Sequence, residues 1–188
     1  MEEISLKIKL AVSGAAKTEP CSPDVLEKSL KLGKIIAQHN CVLITGATTG
    51  VPYWTAKGAK EAGGFVIGLS PALNYEEHVK IFGLPIDYHD VIIWTGLGYS
   101  GRNTILSRSA DAIIFVCGRI GTLNEFTTAF EDNKIMGVLE GSGGTESLLK
   151  EILARAKREE RIIIWEKEPE VLVSRLIEII KKNESIFS

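Results

Sequence analysis

The sequence is poor in the features that mark several large function classes. It has only three cysteines, Cys21, Cys41 and Cys117, and they stand far apart. They give no CxxC metal spacing, and an odd number so spread offers no disulfide framework, which points to free thiols in a reducing compartment. Local runs of Lys and Arg are missing too. The basic stretch 155–161 is interrupted by Glu159 and Glu160 and reads as a solvated helix end. With a formal net charge of -2 the chain lacks the electrostatic footprint of a nucleic-acid binder, so no nucleic-acid partner is expected. The start, Met1-Glu2-Glu3, is acidic and shows no signal peptide, and no apolar run approaches the length of a bilayer span. The expectation is a cytoplasmic protein with no membrane partner. No GxxxxGK[ST] motif is present, which argues against a P-loop nucleoside triphosphatase. There is no internal repeat, low-complexity segment or dividing linker, so the 188 residues read as one domain, 1–188, large enough for a sizeable core.

What is present is an alternation of short apolar runs with longer amphipathic ones, the pattern of βαβ units. Residues 6–13, 41–45, 65–69, 91–94, 112–116, 136–139 and 161–165 read as strands. Residues 24–39, 51 to about 62, 103–109, 122–130, a segment from 145 and 169–182 read as helices. The stretch 70–87, with Pro71 and Pro85, reads as a loop over the rim. The order implies an α/β fold: a doubly wound, mostly parallel Rossmann-like sheet of six or seven strands with helices on both faces. Such sheets bind ligands outside the carboxyl ends of the strands, near a topological switch point.

Three post-strand turns are rich in glycine: 46–50, 96–101 and 118–121. Glycine lets backbone N–H groups approach an anion closely, and a following helix adds its positive end. One such turn is ordinary strand-to-helix geometry, but three on one rim point to a phosphate. The run Gly96-Leu97-Gly98-Tyr99-Ser100-Gly101 matches GxGxxG literally. It does not sit in the first βαβ unit, and the next strand ends at Val116-Cys117 without an acid for a ribose, which argues against a dinucleotide. Arg102 and Glu125 are the charged residues best placed at the rim. His39, His78 and His89 share no ligand spacing, and no metal site is expected. Cys117, with no histidine near it in sequence, reads as a packed, unreactive thiol.

From Gly98 to Glu125 the sequence resembles the LOG-like (SLOG) superfamily, often mislabelled as lysine decarboxylases. The motif containing Arg-Lys appears as Gly101-Arg102-Asn103, followed by Ser107-Arg108-Ser109-Ala110-Asp111. The later turn PGGxGTxxE appears as Cys117-Gly118-Arg119-Ile120-Gly121-Thr122-Leu123-Asn124-Glu125. An earlier glycine turn is partly kept at Gly46-Ala47-Thr48-Thr49-Gly50, and Ser13-Gly14 follow the first strand. The resemblance implies a homodimer or higher homo-oligomer and a small phosphorylated ligand, a nucleotide or a molybdopterin-type molecule, with no required cofactor. It makes Arg102 and Glu125 the catalytic pair of any enzyme on this scaffold. It assigns nucleotide or phosphate binding to Ser13, Gly14, Gly46, Gly50, Gly98, Gly101, Asn103, Gly118, Arg119, Gly121 and Thr122. In the cytokinin-activating members the implied reaction is hydrolysis of the N-glycosidic bond of a nucleoside 5′-monophosphate. A carboxylate such as Glu125 suits it, because the reaction passes through an oxocarbenium-like centre. Two departures matter: Asn103 replaces the lysine, and Cys117-Gly118-Arg119 replaces Pro-Gly-Gly. The Arg-Asn pair is more similar to molybdenum-cofactor carrier proteins and uncharacterised nucleotide binders. Two readings of different class follow, a phosphoribohydrolase and a non-catalytic binder or carrier. Nothing marks a pyridoxal phosphate lysine, so decarboxylation is set aside.

Overall fold

The computed structural model describes residues 6–158 and 161–187. The acidic start Met1-Glu2-Glu3 and the Glu159-Glu160 pair lie outside the described residues. Seven strands run β1 Lys9–Gly14, β2 Val42–Thr45, β3 Phe65–Ser70, β4 Val91–Trp94, β5 Ala112–Val116, β6 Ile135–Leu139 and β7 Ile163–Glu166. The helices are α1 Val25–Gln38, α2 Val51–Glu61, α3 Gly98–Ser109, α4 Ile120–Glu131, α5 Leu149–Ala156 and α6 Pro169–Phe187. The strands form one sheet in the order β4-β3-β2-β1-β5-β6-β7, and every pairing is parallel. This is the doubly wound α/β architecture expected from the alternating pattern.

The period-two geometry of the strands sorts their side chains between two cores. Leu10 and Val12 of β1 join Ile114 and Val116 of β5 on one face, packed with Leu32 and Ile36 of α1 and Leu176 of α6. Ala11 and the alternate residues Ile113 and Phe115 face the other way, onto Leu106 of α3, Phe126 of α4 and Leu149 of α5. Phe115 and Phe126 meet edge to face at 5.2 Å. Each such buried side chain contributes about 1.5–3 kcal/mol, which is why β5 tolerates no polar residue on either face. Among the described residues no helix is long and apolar enough to cross a membrane.

Four local features differ from the expectations. Helix α3 begins at Gly98 and not at 103, so Gly98 and Gly101 belong to its first turns rather than to a turn ahead of it. Glycine weakens a helix, but docking of this segment overrides the propensity: Gly98 N–H donates to the Pro71 carbonyl at 3.0 Å. The 70–87 loop contains a short π-helical turn, Glu77–Ile81. It is pinned by fully buried His78, whose ring nitrogens lie 2.8 Å from Ser70 Oγ and 3.0 Å from the Pro85 carbonyl. The helix read from 145 opens as a 3-10 turn, Gly144–Leu148, before α5.

The fourth difference is a correction of the cysteine reading. Cys21 and Cys117 form a disulfide across 96 residues of sequence, so Cys117 is not a free packed thiol. Only Cys41 is free, and it is buried. The spacing hid the pair because the two residues meet through topology. β1 and β5 are neighbours in the sheet, and the chain leaving β1 passes over the end of β5.

Candidate ligand-binding site

The switch point of this sheet lies between β1 and β5. From β1 the sheet extends through β2 to one side, and β5 opens the other side. A cavity of about 580 Å³ opens there, at the carboxyl ends of the strands. That volume lies within the usual range for a small-molecule site.

The floor of the cavity is polar and buried. Arg102, from the second turn of α3, and Glu125, from the second turn of α4, are each 5% exposed. Arg102 Nη1 donates to Glu125 Oε1 at 2.9 Å, and the Ser13 hydroxyl, near the end of β1, donates to Glu125 Oε2. Asn103, with its amide turned so that Nδ2 faces the carboxylate, lies 2.8 Å from Glu125 Oε1 and 2.9 Å from the Tyr99 carbonyl. Burial pushes the Glu125 carboxyl above its ordinary range, while Arg102 and Ser13 pull against that shift. Burial likewise pushes the Arg102 guanidinium down, opposed mainly by Glu125. Arg102 Nε is a buried donor with no partner among the described residues. A group of that kind calls for a water or ligand atom.

Gly46 is required where it stands by close approach rather than by backbone conformation. A Cβ there would come within 2.5 Å of Arg102 Nη1, so any side chain would displace the guanidinium.

The mouth is different in kind. The first turn of α4, Ile120-Gly121-Thr122, faces the cavity. Its N-cap residue Arg119 makes no side-chain cap hydrogen bond, and no acidic residue stands in that turn. The orphan N–H groups and the helix dipole therefore offer an anion site. Arg119 and Lys17 line the same cavity, and both side chains are exposed and without an ion-pair partner among the described residues. Tyr99 also lines the cavity, its ring meeting Phe82 edge to face at 5.5 Å.

Of the residues singled out from sequence, the fold gathers Ser13, Gly14, Gly46, Arg102, Asn103, Arg119, Gly121, Thr122 and Glu125 around one cavity. Gly50, Gly98, Gly101 and Gly118 are not among its lining residues. Gly50 packs beneath the Ala15–Ala16 backbone, and Gly118 packs against Thr122 and Thr145. Sequence reading passed over Lys17, Thr48, Tyr99, Ser100 and Asn124, which also line it. The same post-strand logic could have found Lys17 just after β1, and Tyr99 sits inside the GxGxxG stretch. Among the described residues no group of three or more His, Cys, Asp or Glu could hold a metal ion.

Comparison with known proteins agrees with the fold. A protein of Archaeoglobus fulgidus, described as uncharacterized, is 32% identical over 133 residues, covering 71% of this chain and 82% of that one. The structure of the molybdenum cofactor binding protein from the phototrophic bacterium Rippkaea orientalis is 31% identical, with a TM-score of 0.77. That likeness covers 93% of this chain and 98% of the other. The molybdenum cofactor carrier protein of Chlamydomonas reinhardtii is 26% identical with a TM-score of 0.74, covering 94% and 99% of the two chains. The model of the SLOG cluster4 family matches residues 7–173. The chain belongs to the SLOG cluster4 family.

Proposed function

We propose that this protein binds a phosphorylated small molecule with a flat heterocycle, a pterin-type ligand of the molybdopterin kind, and carries it without cleaving it. The observation that supports this most is the state of Glu125. Both of its carboxylate oxygens are engaged, one by Arg102 and one by Ser13, at 5% exposure. A carboxylate that is to activate water or stabilise an oxocarbenium-like centre needs an oxygen open to the ligand. Here the carboxylate shapes the floor.

The donor set suits such a ligand. The phosphate would take the amino-terminal turn of α4, with the Thr122 hydroxyl and the Arg119 guanidinium beside it. Tyr99 offers an aromatic face to a planar ring, and Asn124, whose side chain also lines the cavity, offers an amide to its edge. A metal in the cargo would be held by the ligand's own atoms. The likeness to a molybdenum cofactor binding protein and a molybdenum cofactor carrier protein supports the same choice.

The second reading is a nucleoside 5′-monophosphate phosphoribohydrolase. Arg102 and Glu125 do meet on the cavity floor, and a carboxyl held above its ordinary range suits a general acid. Assembly belongs to the proposal as well. Leu97 at the N-cap of α3, Tyr99 and Ile105 on α3 and Ile120 on α4 are exposed, an apolar surface that suits a homodimer or higher homo-oligomer. A native mass spectrum of the protein as purified tests the ligand reading. Retention of an intact phosphorylated pterin supports it, and release of free base from a nucleoside monophosphate counts for the hydrolase.

A further inference from the structure

We propose that the Cys21–Cys117 disulfide is a redox latch on the cavity: oxidised, it holds two walls together and retains the ligand; reduced by a dithiol, it frees one wall and releases the ligand. The consequence for a ligand rests on the binding reading above. The geometry rests on the loops alone.

One wall is the segment between β1 and α1, which supplies Ala15, Ala16 and Lys17 to the cavity and then runs to Cys21. The other wall is Arg119–Gly121–Thr122, two to five residues beyond Cys117. The disulfide is therefore a covalent staple from one wall to the other. A third loop closes the joint. Ser22 N–H donates to the Ser142 carbonyl and Gly144 N–H to the Pro20 carbonyl, both at 2.9 Å. Cys21 forms an isolated bridge with Gly143, and Cys117 N–H donates to Ser142 Oγ at 2.6 Å. A Cβ on Gly144 would come within 2.8 Å of the Cys117 sulfur, so three loops converge on the sulfur itself.

Without the staple, little apolar burial holds the first wall. From residue 16 to residue 24 the chain is half-buried at Thr18, Cys21 and Ser22 and exposed at Ala16, Lys17, Glu19, Pro20, Pro23 and Asp24. Segments held by few buried contacts and by exposed backbone hydrogen bonds open first. The second wall carries backbone strain at Cys117, a non-glycine residue held at φ +56°. A non-glycine residue persists there only while its surroundings enforce it. Cutting the bond frees the first wall and lets the turn that carries Arg119 relax.

The chemistry balances with an external dithiol. Cys21 is half-buried and Cys117 fully buried, so the reductant's thiolate attacks the Cys21 sulfur. The S–S bond breaks, Cys117 leaves as a thiolate and takes up a proton, and the reductant is joined to Cys21 as a mixed disulfide. The reductant's second thiolate then attacks its own bonded sulfur, and Cys21 leaves as a thiolate and is protonated. The protein disulfide gains two electrons and the dithiol is oxidised to a disulfide. Cys41 cannot intervene, because it precedes β2 and so lies at the opposite end of the parallel sheet from Cys117.

The test uses the full chain, air-oxidised or treated with dithiothreitol, and guanosine 5′-monophosphate as probe, whose ring shares the aminopyrimidinone edge of a pterin. Amide hydrogen exchange over 15–24 and 117–122 should accelerate by about tenfold or more on reduction, with β1 and β5 unchanged. The probe should dissociate about tenfold faster from the reduced form. Cys21→Ser should behave as reduced wild type and ignore dithiothreitol. Unchanged exchange, equal probe dissociation from both forms, or three alkylatable thiols in the air-oxidised protein would each overturn the latch. Probe binding to neither form, with exchange still accelerated, would count against the ligand reading while supporting the opening of the wall.

Discussion

The floor and the mouth of the cavity use charge in opposite ways. On the floor, Arg102 and Glu125 are buried, joined at 2.9 Å, and closed by Ser13. At the mouth, Arg119 and Lys17 are exposed and have no ion-pair partner among the described residues. A buried ion pair gains little net stability, because desolvation offsets the attraction, but losing one partner is costly. An exposed cation costs little and stays free for an incoming anion. The floor therefore fixes the shape of the site, and the mouth is where binding energy is gained.

The largest expected effect follows from breaking the floor. Arg102→Ala leaves a carboxyl without its counter-ion at the base of the cavity and should lower stability by about 3–5 kcal/mol, read as a drop in the urea midpoint. Adding Glu125→Gln should recover part of that loss, because no buried charge then remains. If Arg102→Ala were as stable as wild type, the floor would not be the rigid half of the pair.

A smaller effect is expected from Gly46→Ala. The added methyl presses on the Arg102 guanidinium and should cost about 1–3 kcal/mol, the usual price of overpacking. Thermal unfolding with and without a saturating monophosphate would show whether the floor alone absorbs the change.

A pH-dependent effect comes from beyond the cavity, beside the end of β2. His89 is half-buried, with Thr45 Oγ1 at 2.9 Å from Nε2 and the Asp87 carbonyl at 2.8 Å from Nδ1. Burial holds its pKa below the ordinary histidine value of 6.5. The unfolded chain then binds a proton before the folded chain does. The stability contributed is present above pH 6.5 and is lost as pH falls through the depressed value. Unfolding followed from pH 7.5 to 5 should show this loss, and His89→Gln should flatten it.

The smallest stability effect should come from the mouth. Arg119→Ala should stay within about 0.5 kcal/mol of wild type, since nothing folded depends on the side chain. Its affinity for a heterocyclic monophosphate should nevertheless fall about tenfold, and the salt dependence of binding should weaken. A destabilised Arg119→Ala variant would erase the distinction between the two halves.

The floor was more legible in the sequence than the mouth. Post-strand position pointed to Arg102 and Glu125 and the family resemblance to Ser13, and the parallel sheet brings them together through neighbouring β1 and β5. At the mouth the family turn pointed to Arg119, Gly121 and Thr122, but the rest depends on how loops cross, which period and spacing do not encode. Lys17 and Tyr99 enter the cavity because the chain after β1 and the first turn of α3 lean over the same strand ends. The disulfide was hidden for the same reason, since a separation of 96 residues shows nothing until β1 and β5 are paired. The glycines misled in part: Gly98 and Gly101 serve the start of α3, where docking outweighs helix propensity.

The most direct test of carriage against cleavage is a native mass spectrum of the oxidised protein after incubation with a mixture of molybdopterin and guanosine 5′-monophosphate, with free guanine followed in the same sample. The expected result is a species carrying intact molybdopterin and no accumulation of guanine. Guanine released by the wild-type protein, and not by Glu125→Gln, would contradict it.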